Sequence, residues 1–125
     1  MIDHVSVAVR DITAATRFYE TVLATIEIAK LETRPTTVGF GKRYPEFWIN
    51  LRVDFAAATE SGAHTCFRAR SKELVDAFYA AALQAGGSSD GAPGLRPAHG
   101  EGYYAAFIRD PDGNRIEAVT FVNSN

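Results

Sequence analysis

The feature that most constrains this chain of 125 residues is an internal repeat with a spacing of 60 residues. Four pairs of identical residues share that spacing: His4 and His64, Phe18 and Phe78, Tyr19 and Tyr79, and Leu23 and Leu83. A strand-opening histidine and a helical aromatic pair rarely recur together by chance. The chain is therefore predicted to hold two copies of one supersecondary unit. Its length suits a single domain.

Each copy is predicted to run strand, helix and then three strands. Asp11 or Thr13 caps the first helix and Ser71 the second, because each precedes apolar residues at helical spacing. The glycine-rich segment 88–102 is predicted to be loop with a short strand near Leu95. The remaining strands are predicted over 2–9, 26–31, 38–40, 47–53, 64–69, 104–108 and 116–122. The expectation is one α+β domain, 1–125, made of module 1–55 and module 63–123, joined by a connector over 56–62.

A carboxylate interrupts the last apolar run. Residues 110–114 read Asp-Pro-Asp-Gly-Asn, which is dense turn chemistry and predicts a hairpin between the last two strands. Glu117 lies inside the second strand of that hairpin, where an unpaired charge would be costly. Glu117 is therefore either paired, hydrogen-bonded or metal-bound, or it points to solvent. The hairpin alone leaves both alternatives open.

The repeat predicts a set of metal-type residues on the strand face away from the helices. That face holds His4 and His64 at the start of each copy and Glu117 in the last strand, with Asn50 matched to Glu117 in the first copy. Two histidines and one carboxylate are a workable donor set for a divalent transition metal with open positions. Strand histidines are also common as partly buried residues without a ligand, so a site without metal stays open.

Other side chains on the same faces are predicted to contact a substrate. Trp48, Asn50 and Arg52 alternate along one strand, and Arg68 shares the face of His64. An indole and two guanidinium groups favour a small anionic or aromatic substrate. The alternative is that the arginines lie at a rim and meet solvent or a partner chain. Cys66 is either a nucleophile or soft ligand, or a thiol that only packs.

These motifs resemble the vicinal oxygen chelate superfamily of glyoxalases, bleomycin resistance proteins and extradiol dioxygenases. The matching pieces are residues 4–11, Phe18-Tyr19 with Val22-Leu23, His64, and residues 110–117. The resemblance implies paired βαβββ modules whose mixed sheets curl around a cup. It also implies that His4, His64 and Glu117 bind a divalent metal: Fe²⁺, Mn²⁺, Ni²⁺ or Zn²⁺.

The resemblance implies a metal-dependent lyase, dioxygenase or thiol transferase that acts on a small oxygen-bearing substrate, with Glu117 as the catalytic carboxylate. Glyoxalase I enzymes carry a carboxylate where this chain has Asn50, so little glyoxalase I activity is expected. Some members sequester a compound without metal, as the bleomycin resistance proteins do. That metal-free binding function is the alternative for this chain.

Composition and charge limit the kinds of molecule that this chain is expected to bind. The net charge of −2 gives no basic surface for nucleic acid, and no apolar run is long enough to cross a membrane. A single cysteine excludes an intrachain disulfide, which favours a cytoplasmic protein. The expected partners are a small-molecule substrate and a second copy of the chain. In the predicted homodimer each site takes His4 from one chain and His64 with Glu117 from the other; the alternative is a monomer with all three ligands in one chain.

Overall fold

A computed structural model describes residues 1–58 and 61–123, which contain two βαβββ modules. The first module consists of β1 (Val5–Val9), α1 (Ile12–Ala24), β2 (Ala29–Thr33), β3 (Thr37–Gly41) and β4 (Pro45–Leu51). The second consists of β5 (Thr65–Arg68), α2 (Lys72–Gln84), β6 (Ser88–Leu95), a 3₁₀ turn (Pro97–His99), β7 (Tyr103–Arg109) and β8 (Arg115–Phe121). The predicted order of elements is confirmed. The predicted connector 56–62 includes residues 59 and 60, which lie outside the described residues.

Each module forms its own four-stranded mixed sheet. The strand orders are β1-β4-β3-β2 and β5-β8-β7-β6, so the two modules have the same topology. The first and last strands of a module run parallel, and the other neighbours run antiparallel. Neither sheet closes on itself. The α+β class and the paired-module fold are therefore confirmed.

The two helices cover one face of the sheets and begin at the predicted caps. The Asp11 carboxylate accepts a hydrogen bond from the Ala14 amide at 3.0 Å, and the Ser71 hydroxyl accepts one from the Leu74 amide at 3.2 Å. The cores of the two modules are in contact through Phe47 of β4 and Phe67 of β5, whose ring centres are 5.1 Å apart. Across residues 1–58 and 61–123, no helix is long and apolar enough to cross a bilayer.

The segment predicted to be mainly loop is instead an edge strand. β6 spans eight residues, Ser88–Leu95, and pairs with β7 through two shifts of register. Its sequence, Ser-Ser-Asp-Gly-Ala-Pro-Gly-Leu, has no apolar alternation, so periodicity could not reveal it. Backbone pairing with β7 supplies the order that the side chains of β6 lack.

Strand boundaries in the first module also differ from expectation: β1, predicted over 2–9, begins at Val5, and the ends of β2, β3 and β4 are shifted. β2 begins at Ala29 because Ile26 and Ile28 are buried in the turn that follows α1, where Glu27 has a φ of +69°. β4 ends at Leu51, and Val53 beyond it is 67% exposed. The apolar residues in both regions suggested longer strands than the backbone forms.

The Asp-Pro-Asp-Gly-Asn turn joins the two modules. Asp110 is buried, and its carboxylate accepts hydrogen bonds from the Tyr19 hydroxyl at 2.5 Å and from the Asn114 side-chain amide at 2.9 Å. The same Asn114 amide donates to the backbone carbonyl of Ala8 in β1 at 2.8 Å. Because Tyr19 and Ala8 belong to the first module, this turn of the second module fixes how the two modules pack.

Candidate functional site

The face of each sheet that carries no helix is called here the inner face. Alternation along the strands places Ser6, Trp48 and Asn50 on the inner face of the first sheet. In the second sheet, Cys66 lies beside Glu117 in the parallel register of β5 and β8. The strands therefore present the predicted site residues on two separate inner faces.

The second-module cluster consists of His64, Cys66, Tyr103 and Glu117. Only 2% of Glu117 is exposed, which excludes the alternative that this carboxylate points to solvent. One carboxylate oxygen accepts a hydrogen bond from the Tyr103 hydroxyl at 2.5 Å, and the other lies 3.0 Å from His64 Nε2. Both oxygens of the buried carboxylate thus have a hydrogen-bonding neighbour within the chain.

Cys66 and Tyr103 of this cluster keep their protons at neutral pH. Partial burial, together with the Glu117 charge, raises the pKa of the Cys66 thiol to about 12. Cys66 is exposed, and its raised pKa favours an unreactive thiol over a thiolate nucleophile at neutral pH. Burial and the bond to Glu117 also raise the pKa of Tyr103, so its hydroxyl remains a donor.

Tyr103 is a site residue that sequence reasoning missed. A tyrosine at the start of a strand is ordinary, and its spacing from Glu117 matches no motif. The available signal was the hairpin itself. Residues 103 and 107 lie on the same face of β7, and Phe107 pairs with Glu117 of β8. Only a correct register for that hairpin would have placed the Tyr103 hydroxyl near the carboxylate.

His4 lies on the first module, in a separate cleft. This first-module cleft has a volume of about 430 Å³ and is lined by Asp3, His4, Ser6, Arg34, Thr37, Pro45, Trp48 and Asn50. The Nδ1 atom of His4 lies 2.7 Å from an Asp3 carboxylate oxygen. Among the residues that the structure describes, no three histidine, cysteine or acidic side chains come together as a metal site. The structure therefore brings His64 to Glu117 and places His4 elsewhere.

The predicted substrate contacts divide between the two modules. Trp48 and Asn50 line the first-module cleft, but Arg52 follows the end of β4 and its guanidinium donates to the Leu51 carbonyl at 2.7 Å. Arg68 lies on the second sheet, 4.9 Å from the centre of the Phe121 ring. The arginine that lies over Trp48 is Arg34, at 5.0 Å from the ring centre. Sequence reasoning missed Arg34 because it lies in the turn between β2 and β3.

The strand registers also correct the predicted counterpart of Glu117. Ser6 and Cys66 are equivalent in the 60-residue repeat; Ser6 pairs with Trp48, whereas Cys66 pairs with Glu117. Trp48 of the first module is therefore the structural equivalent of Glu117 in the second. Asn50 lies two residues further along β4, on the same face. Sequence alone matched Asn50 because Ile49-Asn50-Leu51 resembles the flanks of Glu117 more closely.

Comparison with known proteins assigns the family. The family model described as Glyoxalase/Bleomycin resistance protein/Dioxygenase superfamily matches residues 1–118. The chain belongs to this superfamily. Among curated proteins, none matches the chain.

Solved structures of the superfamily share the whole fold. A glyoxalase/bleomycin resistance protein from Albidiferax ferrireducens T118 is 35% identical, with a TM-score of 0.80 over 94% of this chain and 96% of that one. A glyoxalase/bleomycin resistance protein/dioxygenase family enzyme from Burkholderia phytofirmans PsJN is 22% identical, with a TM-score of 0.75 over 97% and 98% of the two chains. The chain thus spans nearly the full length of both.

A divalent metal was expected from the resemblance, and the second-module cluster brings together two of its three expected ligands, His64 and Glu117. At the tetrahedral angle of a zinc site, two ligands at about 2.1 Å are about 3.4 Å apart; at the angle of about 90° of an octahedral ion they are about 3.0 Å apart, which is also a hydrogen-bond distance. The observed separation of His64 Nε2 and the Glu117 carboxylate oxygen is 3.0 Å. A transition-metal site needs at least one further protein ligand. His4 is on the other module, so the inner face of the second module carries two of the three predicted ligands and that of the first module carries one.

Proposed function

We propose that two copies of this chain form a composite cup that binds a divalent metal and acts on a small oxygen-bearing substrate. In this arrangement His4 comes from one copy, and His64 with Glu117 comes from the other. The observation that carries the proposal is the spacing of His64 and Glu117, two ligand-type groups 3.0 Å apart on a sheet face that has no helix. A facing sheet from a second copy would bring the third ligand to them.

The surroundings of each proposed ligand support this assignment. Ligating histidines usually donate their second ring nitrogen to a carboxylate or a backbone carbonyl. His4 has the Asp3 carboxylate at 2.7 Å from Nδ1, and His64 has the Gly62 carbonyl at 3.4 Å from Nδ1. These contacts leave Nε2 of each ring as the ligating atom. Tyr103 fixes the other oxygen of Glu117 and so holds the carboxylate in one orientation.

The chain's own residues would bind and orient the substrate. When bound, a divalent ion supplies Lewis-acid polarisation of substrate oxygens. Trp48 and Asn50 on one inner face, and Arg68 on the other, would position the substrate beside the ligands. The buried Glu117 carboxylate is placed to take or hold a proton once it is released from one of its present hydrogen bonds.

A metal-free binding protein is the second candidate, and a specific observation favours it. The position equivalent to Glu117 in the first module is Trp48, which has no metal-ligating atom. Both oxygens of Glu117 are already engaged within the chain. The cup would then hold its ligand by aromatic and hydrogen-bonding contacts alone.

Metal uptake distinguishes the two candidates. Protein purified without added metal, and then titrated with Fe²⁺, Mn²⁺, Ni²⁺ and Zn²⁺ by calorimetry, should bind about one equivalent per chain. His64→Ala should abolish this binding. Glu20→Ala is the control, because Glu20 is an exposed carboxylate of α1, on the helix side of the first sheet and away from the inner faces. No uptake by the wild-type protein would remove the enzyme proposal and leave the binding protein.

A further inference from the structure

The first-module cleft contains a guanidinium group that is held in place but not saturated by the fold. The Arg34 guanidinium lies 5.0 Å from the centre of the Trp48 ring. Its one side-chain hydrogen bond within the described residues runs from Nε to Glu32 and is long, at 3.4 Å. The two terminal nitrogens therefore remain as donors, and 57% of the side chain is exposed.

The indole beneath Arg34 is fixed by close packing on its strand neighbours. A Cβ atom at Gly39 would lie 2.9 Å from the Trp48 ring and 2.7 Å from Pro45. Glycine at this position therefore lets the indole lie directly against β3. Because the indole is fixed, the guanidinium over it loses little further freedom when it binds an anion.

A second donor points to the same kind of ligand. The Oδ1 atom of Asn50 accepts a hydrogen bond from the Thr37 hydroxyl at 2.5 Å. The Thr37 hydroxyl has one proton and also lies 3.1 Å from the Ile49 carbonyl; when it donates to Asn50, the Asn50 amide nitrogen is the group available to a ligand in the cleft. The acidic side chain that lines the cleft, Asp3, is paired with His4. The terminal nitrogens of Arg34 are thus the paired donors that the cleft offers to an anion.

We propose that the first-module cleft binds the carboxylate of a small organic acid, with Arg34 as its anchor. The terminal nitrogens of Arg34 would bind the two carboxylate oxygens side by side, and Asn50 would donate to one of them. The apolar body of the acid would lie against Trp48 and Pro45. This deepens the proposed function, because it rests on the cup being a small-molecule site, but it applies with or without a metal.

The single tryptophan of the chain reports directly on this cleft. Titration of the full-length protein with sodium benzoate should change Trp48 fluorescence saturably, and benzamide, the neutral isostere, should bind at least about tenfold more weakly. Arg34→Gln should weaken benzoate binding by about tenfold or more while benzamide is unaffected. Arg34→Lys should give an intermediate loss, because it keeps the charge but not the paired donors.

Arg43→Gln is the matched control, since Arg43 is an exposed arginine that does not line this cleft. It should bind benzoate like the wild type. The proposal is overturned if benzoate gives no saturable change, if benzamide binds equally well, or if Arg34→Gln behaves like Arg43→Gln. Metal calorimetry on the same protein separates the two proposals: benzoate binding without metal uptake would remove the metalloenzyme and keep the acid site. Metal uptake without benzoate binding would do the reverse.

Discussion

At the scale of single residues, Glu117 is held by one neighbour from each adjoining strand region. Tyr103 of β7 binds one oxygen, and His64, which precedes β5, lies against the other. The Tyr103 bond holds one oxygen of Glu117 in place, which is the kind of outer support that a metal-ligating carboxylate has. The tyrosine hydroxyl remains available for this role because its pKa is raised by burial and by the Glu117 bond.

Removing the Tyr103 hydroxyl should therefore weaken metal binding without unfolding the protein. Tyr103→Phe is expected to lower metal affinity by about tenfold or more, as loss of such a supporting hydrogen bond does elsewhere. Competition with a chelating dye measures the affinity. Tyr104→Phe is the matched control, because the Tyr104 hydroxyl bonds to Asp76 of α2, on the helix side of the same sheet. Equal affinities in the two variants would show that Tyr103 does not orient Glu117.

The first module lacks a carboxylate at both positions that could complement Glu117. Trp48 occupies the equivalent register position, and Asn50 lies beside it. We expect little or no isomerisation of the methylglyoxal–glutathione adduct, because proton transfer between adjacent carbons uses a second carboxylate in the enzymes that this chain resembles. A direct absorbance assay checks this. Turnover at the rate of an authentic glyoxalase would show that the reaction does not need a carboxylate at either of these two positions.

Some of these residues could be predicted from sequence and others could not. The sequence singled out Glu117 because a carboxylate inside an apolar run is either partnered or turned to solvent, and the structure decides for the buried, partnered alternative. Tyr103 and Arg34 did not stand out, because their importance depends on which side chains the hairpin registers bring together. Trp48 was predicted on the correct face, but its equivalence to Glu117 became visible only from the pairing of β1 with β4.

At the scale of elements, the Asp-Pro-Asp-Gly-Asn turn does more than reverse the chain. Its backbone amides at Asp112 and Asn114 donate to the Asp110 carboxylate at 2.9 and 2.8 Å. The Arg10 guanidinium, which follows β1, donates to Asp112 at 2.9 Å. The turn is therefore stabilised internally and fastened to the first module at the same time.

This joint gives a prediction about pH. Burial raises the pKa of Asp110, while the bond from Tyr19 opposes that rise by favouring the carboxylate. Between the ordinary and the raised pKa the folded state binds more protons, so the contribution of Asp110 to stability falls as pH rises. Tyr19→Phe removes the hydrogen bond to the Asp110 carboxylate, so the loss of stability with rising pH should become larger. Tyr19→Phe should lower the free energy of unfolding by about 1–3 kcal/mol at pH 7 and by less near pH 4.

Urea unfolding at the two pH values measures this difference. Tyr79→Phe is the matched control, because Tyr79 is the repeat counterpart of Tyr19 and is only half-buried. Its cost should be small and should not change with pH. A Tyr19→Phe cost that is the same at both pH values would contradict the assignment of this bond to an ionised Asp110.

Elements with side-chain periodicity or caps were predictable, and those without were not. The two helices begin where Asp11 and Ser71 cap them, because the capping rule is local. β6 escaped prediction because its glycines and proline carry no periodic signal, and its order comes from pairing with β7. The boundary of β2 shifted because buried isoleucines in a turn look like strand residues.

At the scale of the whole molecule, the two modules share one core but present separate inner faces. The helix side joins them through packed aromatic rings such as Phe47 and Phe67, and through the Arg70–Glu27 ion pair. The inner faces carry the proposed ligands, with His4 on one and Glu117 on the other. The repeat predicted both modules, since each copy encodes the same elements. It could not predict how the modules sit relative to each other, because that depends on contacts such as Asp110 with Tyr19.

Metal binding by mixed variants tests the composite cup most directly. His4→Ala and Glu117→Ala proteins are each expected to bind metal weakly alone. After subunit exchange, half of the dimers are mixed, and each mixed dimer has one complete site, so the mixture should regain about a quarter of the wild-type capacity. Calorimetry measures the capacity, and a mass tag on one variant verifies exchange. A mixture that exchanges subunits and regains no metal binding would contradict a site shared between two copies.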